Sequence, residues 1–105
     1  MRKVGLKSGV KLSGLRQEML HAIDVCSSIF DESGIAFVIT SAKDGKHSDY
    51  SLHYKGFAID VRVWEIQDEI VAYCQKIGHQ LGKDYQVLNE KDHIHIEYDP
   101  KRLPV

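Results

Sequence analysis

Between about residues 13 and 30, apolar side chains recur at helical spacing: Leu15, Met19, Ala22, Ile23, Cys26 and Phe30. Positions three and four apart share one face of a helix, so this stretch predicts an amphipathic helix with a single buried stripe. Ser13 stands where an N-cap is wanted and Gly34 where a terminator is wanted. Residues 36–40, Ala-Phe-Val-Ile-Thr, form a short, β-branched apolar run and predict a buried strand. Residues 41–57 are polar, with Asp44, Gly45, Ser48 and Asp49 as turn formers, and read as a long loop. Residues 58–63 then alternate, with Ala58, Asp60 and Arg62 on one side and Ile59, Val61 and Val63 on the other. A second helix is predicted over 65–81 from Ile66, Ile70, Cys74, Ile77 and Leu81, closed by Gly82. Residues 85–88 predict a strand. Residues 93–98 alternate again, setting His93, His95 and Glu97 against Ile94, Ile96 and Tyr98.

Side chains change face at every residue of a strand. If the apolar sides of the two alternating strands meet the helices, their other sides bring Asp60, His93 and His95 onto the face turned away from them. His53 then arrives from the preceding loop. The expected architecture is a single α+β domain spanning residues 1–105, with a mostly antiparallel sheet and two helices packed on one of its faces.

Composition narrows the function. A chain of 105 residues with 43% hydrophobic content supports one small core. A net charge of −1 argues against a nucleic-acid partner, which would require a basic surface. No apolar run approaches the roughly 20 residues of a membrane span, and no apolar stretch follows the charged Met1-Arg2-Lys3 start, so no signal peptide is expected. Cys26 and Cys74 fall at core-type helical positions, without the close pairing of a thiolate metal site, and read as free thiols.

The chemistry is concentrated in two segments, Ser51-Leu52-His53-Tyr54-Lys55-Gly56-Phe57-Ala58-Ile59-Asp60 and Asp92-His93-Ile94-His95. A catalytic zinc takes three nitrogen or oxygen ligands at about 2.0–2.2 Å and keeps one position for water, whose pKa falls to around 7. His53, Asp60 and His95 supply such a set, for one zinc ion per chain. A carboxylate must then accept the proton of the water. Asp92, three residues before His95, is the leading candidate, with Glu90 and Glu97 as fallbacks. His93 lies roughly 6.5–7 Å from His95 along the strand and suits a hydrogen bond to an oxyanion or to substrate rather than to metal. Gly56 allows a turn where a Cβ would clash, and Ala58 leaves space beside Asp60. Either segment alone reads more readily as ordinary surface than as a site; together, at these offsets, they describe a site. Ser51 is placed to orient His53 or contact substrate, and His47 to reach substrate or solvent. Lys43, Lys46, Lys55 and Arg62 form either a solvated cationic loop or a carboxylate-recognition surface. Trp64 and Tyr54 read as packing residues, and His21 and His79 as helix-surface residues.

The pattern Ser-x-His-x-x-Gly-x-Ala-x-Asp followed by Asp-x-x-His resembles the zinc D-Ala-D-Ala carboxypeptidase and L-alanyl-D-glutamate endopeptidase family, which shares its fold with the Hedgehog signalling domain. The segment from Ile39 to Arg62 resembles small phage-borne members in particular, and the likeness runs from about Ala36 to Tyr98. It implies His53, Asp60 and His95 as zinc ligands, Asp92 as general base and His93 as an active-site auxiliary. It implies a substrate among the stem peptides and cross-links of bacterial peptidoglycan. Many members carry an arginine ahead of the first motif. Ser41-Ala42-Lys43 has none, which leaves Lys43 and Lys46 as point charges where a bidentate fork would stand.

The resulting expectation is a monomeric zinc peptidase of a cell-wall lytic kind, made in the cytoplasm and reaching the wall after holin-type release or as a virion component. The alternative is a metal-binding, non-catalytic peptidoglycan- or protein-binding module of the same fold, against which the presence of Asp92 argues. Two histidines and a carboxylate also form the facial triad of non-haem iron oxygenases. That triad usually sits in a larger β-barrel, which two helices and so few strands do not build.

Overall fold

The first helix ends as its sequence dictates. In the computed structural model, which describes residues 3–42 and 56–100, helix α1 (Gln17–Glu32) stops in a double-bonded turn. The N–H of Ile35 donates to the carbonyl of Phe30 and that of Gly34 to Asp31, with Gly34 at φ +70°. This is the Schellman arrangement, and the left-handed residue it requires favours glycine. The start of α1 differs from the expected one. Ser13 and Gly14 belong to a turn in which the N–H of Leu15 donates to Leu12, and Arg16 takes the N-cap position with no side-chain cap. The N–H of Arg16 is donated instead to the carbonyl of Gly56 at 2.9 Å, which ties the helix to the chain just ahead of the third strand.

The strands are β1 (Gly5–Leu6), β2 (Val38–Ser41), β3 (Ala58–Arg62), β4 (Tyr85–Asn89) and β5 (His93–Tyr98), in the sheet order β1-β2-β3-β5-β4. Three of the four pairings are antiparallel, but β1 runs parallel to β2, so the sheet is mixed rather than antiparallel. β1 is held by backbone contacts, among them the N–H of Gly5 to Phe37 and that of Lys7 to Ile39. The second predicted helix divides into a 3-10 turn, Gln67–Glu69, and helix α2 (Ile70–Leu81).

Both helices cover the same face of the sheet. Met19, Ile23, Cys26 and Phe30 of α1 and Ile70, Tyr73, Ile77 and Leu81 of α2 form one buried cluster with Ile39, Ile59, Val61, Ile94 and Ile96. Each large apolar side chain buried in this way contributes about 1.5–3 kcal/mol. Phe30 packs edge-on against Tyr73 at 5.1 Å, and Tyr85 packs edge-on against Tyr98 while its hydroxyl donates to the carbonyl of Glu18. Both cysteines are free, Cys26 buried and Cys74 half-buried. Among the described residues no helix is long and apolar enough to cross a membrane.

Candidate metal centre

The register of β3 and β5 sets the site. Ala58 pairs with Glu97, Asp60 with His95 and Arg62 with His93. Directly opposed residues of antiparallel strands share a face, so these six side chains stand together on the side away from the helices. Ile59, Val61, Ile94 and Ile96 are fully buried on the other side, and a shift of one residue would exchange the two sets.

On this face carboxylates and imidazoles alternate. Asp92 Oδ1 lies 2.6 Å from His93 Nδ1. His93 Nε2 lies 3.8 Å from Asp60 Oδ1. Asp60 Oδ1 lies 2.9 Å from His95 Nδ1, and His95 Nε2 lies 2.8 Å from Glu97 Oε1. The side chains of Asp60, His95 and Glu97 are 16–17% exposed, so the inner part of the row is largely shielded from water. The hydrogen bond to Asp60 raises the pKa of His95 above its ordinary 6.5; burial opposes this and Glu97 adds to it.

Asp92 sits differently. It belongs to the tight turn between β4 and β5, in which Lys91 takes a left-handed φ of +74° and its N–H donates to Asn89 Oδ1. The Asp92 side chain is 86% exposed, and among the described residues its carboxylate meets the row only through His93. Glu97, a fallback base by sequence, contacts His95 Nε2 at 2.8 Å. Its two-residue offset from His95 along an alternating strand was the available signal for this contact.

The expected site residues thus fall into two groups. Asp60, His93 and His95 come together, with Asp92 joined through His93. His53, the third expected ligand, lies outside the described residues, as do Ser51, Lys43, Lys46 and His47. Among the described residues no three histidine, cysteine, aspartate or glutamate groups form a metal-holding cluster. The two described donors, Asp60 Oδ1 and His95 Nδ1, are of the oxygen and nitrogen type that zinc takes and lie at hydrogen-bond distance, 2.9 Å, against the roughly 3.3 Å between two ligand atoms of a tetrahedral site with bonds of about 2.0 Å.

Trp64 corrects an expectation. It is 72% exposed rather than packed, because it continues the outward phase of β3, and the Arg62 guanidinium stacks on its ring at 4.4 Å. His21 and His79 lie exposed on their helices, as expected. No protein-family model matches the chain, and no curated protein does so either.

Proposed function

We propose that this chain is a zinc peptidase that hydrolyses peptide bonds in the stem peptides or cross-links of bacterial peptidoglycan. The observation that carries the reading is the pairing of Asp60 with His95 across β3 and β5, on the polar face, with the second His95 nitrogen held by a carboxylate. His53, Asp60 and His95 would hold the ion. Zinc, when bound, supplies Lewis acidity at the scissile carbonyl and a water acidic enough to be deprotonated at neutral pH. Asp92 takes the proton of the attacking water on a carboxylate oxygen and returns it to the departing amine nitrogen. His93 donates through Nδ1 to that exposed carboxylate and holds it at the edge of the sheet face. The residue pattern shared with the zinc D-Ala-D-Ala carboxypeptidase and L-alanyl-D-glutamate endopeptidase family supports the choice of substrate. In this reading the protein acts on the wall as a monomer, after delivery from the cytoplasm.

The test is digestion of purified peptidoglycan, followed by mass spectrometry of the products and by metal analysis of the protein. One zinc per chain, newly freed amino groups and loss of activity on chelation are expected, with casein left intact. Cut glycan strands with intact peptides would overturn the peptidase reading. Bound zinc without any turnover would replace it with a non-catalytic module.

A further inference from the structure

We infer that the hollow beside Arg62 is a binding subsite for a carboxylate-bearing peptide: Arg62 and Lys7 hold the carboxylate, and Trp64, Leu6 and Val38 cover the aliphatic part next to it. Resting on the peptidase reading above, this subsite takes the acidic portion of the peptide substrate.

The hollow measures about 240 Å³ and lies where β1, β2 and the end of β3 run side by side. Leu6 and Lys7 line it from the first strand, Val38 and Thr40 from the second, Arg62 and Trp64 from the third. Val38 and Thr40 flank Ile39, which is fully buried toward the helices, so they stand on the opposite, polar face. Arg62 pairs with His93 across β3 and β5 and lies two residues, roughly 6.5–7 Å, along β3 from Asp60. The hollow thus adjoins the row of carboxylates and imidazoles on the side turned toward β1. Its volume falls just below the range of about 300–1,000 Å³ usual for ligand pockets, which suits one or two residues of an extended chain.

Arg62 is prepared for a carboxylate. Its guanidinium lies over the Trp64 ring, 4.4 Å from the centroid, so one flat face is covered. Stacking occupies the face of the fork and leaves its edge, where the N–H donors point. Among the described residues no carboxylate forms an ion pair with Arg62 or Lys7. The charges also set a direction. Asp92 and Glu97 stand on the β5 side of the face, Arg62 and Lys7 on the side toward β1, so an acidic group is repelled from the one and drawn to the other. Leu6 and Trp64 are large apolar side chains left exposed in the same lining. An anionic head on a short aliphatic stem satisfies both the cations and these apolar walls.

The test is an NMR titration of the full chain with N-acetyl-D-glutamate and with its uncharged diamide, followed through the backbone amides. The acid should shift amides of residues 5–7, 38–40 and 62–64, and should bind at least about tenfold more tightly than the diamide, the scale of a hydrogen bond to a charged group. Arg62→Gln should remove that preference while leaving diamide binding as it was, which a merely structural loss would not do. Arg62→Lys should recover only part of it, because an ammonium is a point charge. Equal binding of acid and diamide by wild type, a comparison that needs no variant, overturns the proposal. Shifts centred on another part of the chain, or a folded Arg62→Gln that still prefers the acid, overturn it as well. In turnover on peptidoglycan fragments, Arg62→Gln should raise KM more than it lowers kcat. An unchanged KM overturns the subsite and leaves the peptidase reading standing. If wild type cuts no peptide, that reading fails, and the titration alone still decides whether the hollow takes carboxylates.

Discussion

Asp92 and His95 are both acid–base residues of one short segment, yet their surroundings ask different things of them. Asp92 is solvated and, among the described residues, is contacted by one side chain, His93, so changing its chemistry leaves the framework alone. Asp92→Asn should keep zinc bound while turnover on peptidoglycan falls at least about a hundredfold, the usual scale for loss of a general base. A near-wild-type rate would move that role to Glu90 or Glu97. His95 lies between Asp60 and Glu97, with His93 beyond Asp60, and its pKa is raised above 6.5, chiefly by Asp60. A group whose pKa is higher in the folded state stabilises that state fully below its unfolded value, and the contribution fades as pH rises through the folded value. In metal-free protein, wild type should therefore hold its full stability advantage over His95→Gln below about pH 6.5 and lose it as the pH rises above that. Urea denaturation with chelator present reads this directly, and an advantage that grows with pH would contradict the assignment.

Elements are held in place by a few backbone positions. Gly56 has φ +82°, and an added Cβ would run into the Gly14 carbonyl oxygen, whereas Gly34 has φ +70° and open space around it. Gly34→Ala should cost about 1 kcal/mol, from the left-handed conformation alone. Gly56→Ala adds a backbone clash and should cost distinctly more in denaturant melts; equal losses would mean that the contact between Gly56 and the start of α1 is slack. The strands that matter most for the site were the most legible. β5 occupies the residues its alternation marks, and β3 does so to within one, because a half-buried strand writes its two faces into every second residue. β1 left no such mark. Its two residues, Gly5 and Leu6, pair through the backbone and bury little, so no hydrophobic pattern announces them. Ser13 was a sound N-cap by composition, but tertiary pairing of Arg16 with Gly56 decided where α1 begins. A shared polar face for Asp60, His93 and His95 followed from alternation; the direct pairing of Asp60 with His95 and the contact of Glu97 with the ring needed the strand order, the register and the side-chain geometry.

At the scale of the molecule, β3 and β5 are interior strands of the five-stranded sheet, so the site rests on ladders paired on both sides and backed by the shared core. Opening that core should be close to global unfolding. Cys26 offers a measure of it. Its thiol is fully buried, and desolvation pushes its pKa far up, while Cys74 is half-buried and raised for the same reason. Since the thiolate is the reactive form, a thiol reagent should modify Cys74 first, and Cys26 only as the chain unfolds in denaturant. Equal labelling rates in native buffer would show that the core opens locally. Trp64 gives the complementary signal. It is the only tryptophan, it lies outside the core, and it carries Arg62 on its ring beside the row of carboxylates and imidazoles. Its indole is already wet in the native state, so denaturation should scarcely change the colour of its fluorescence. A peptide settling against Arg62 should dehydrate the ring and shift the emission to the blue. The chain thus contains its own optical reporter, sensitive to what occupies the polar face and nearly blind to whether the protein is folded.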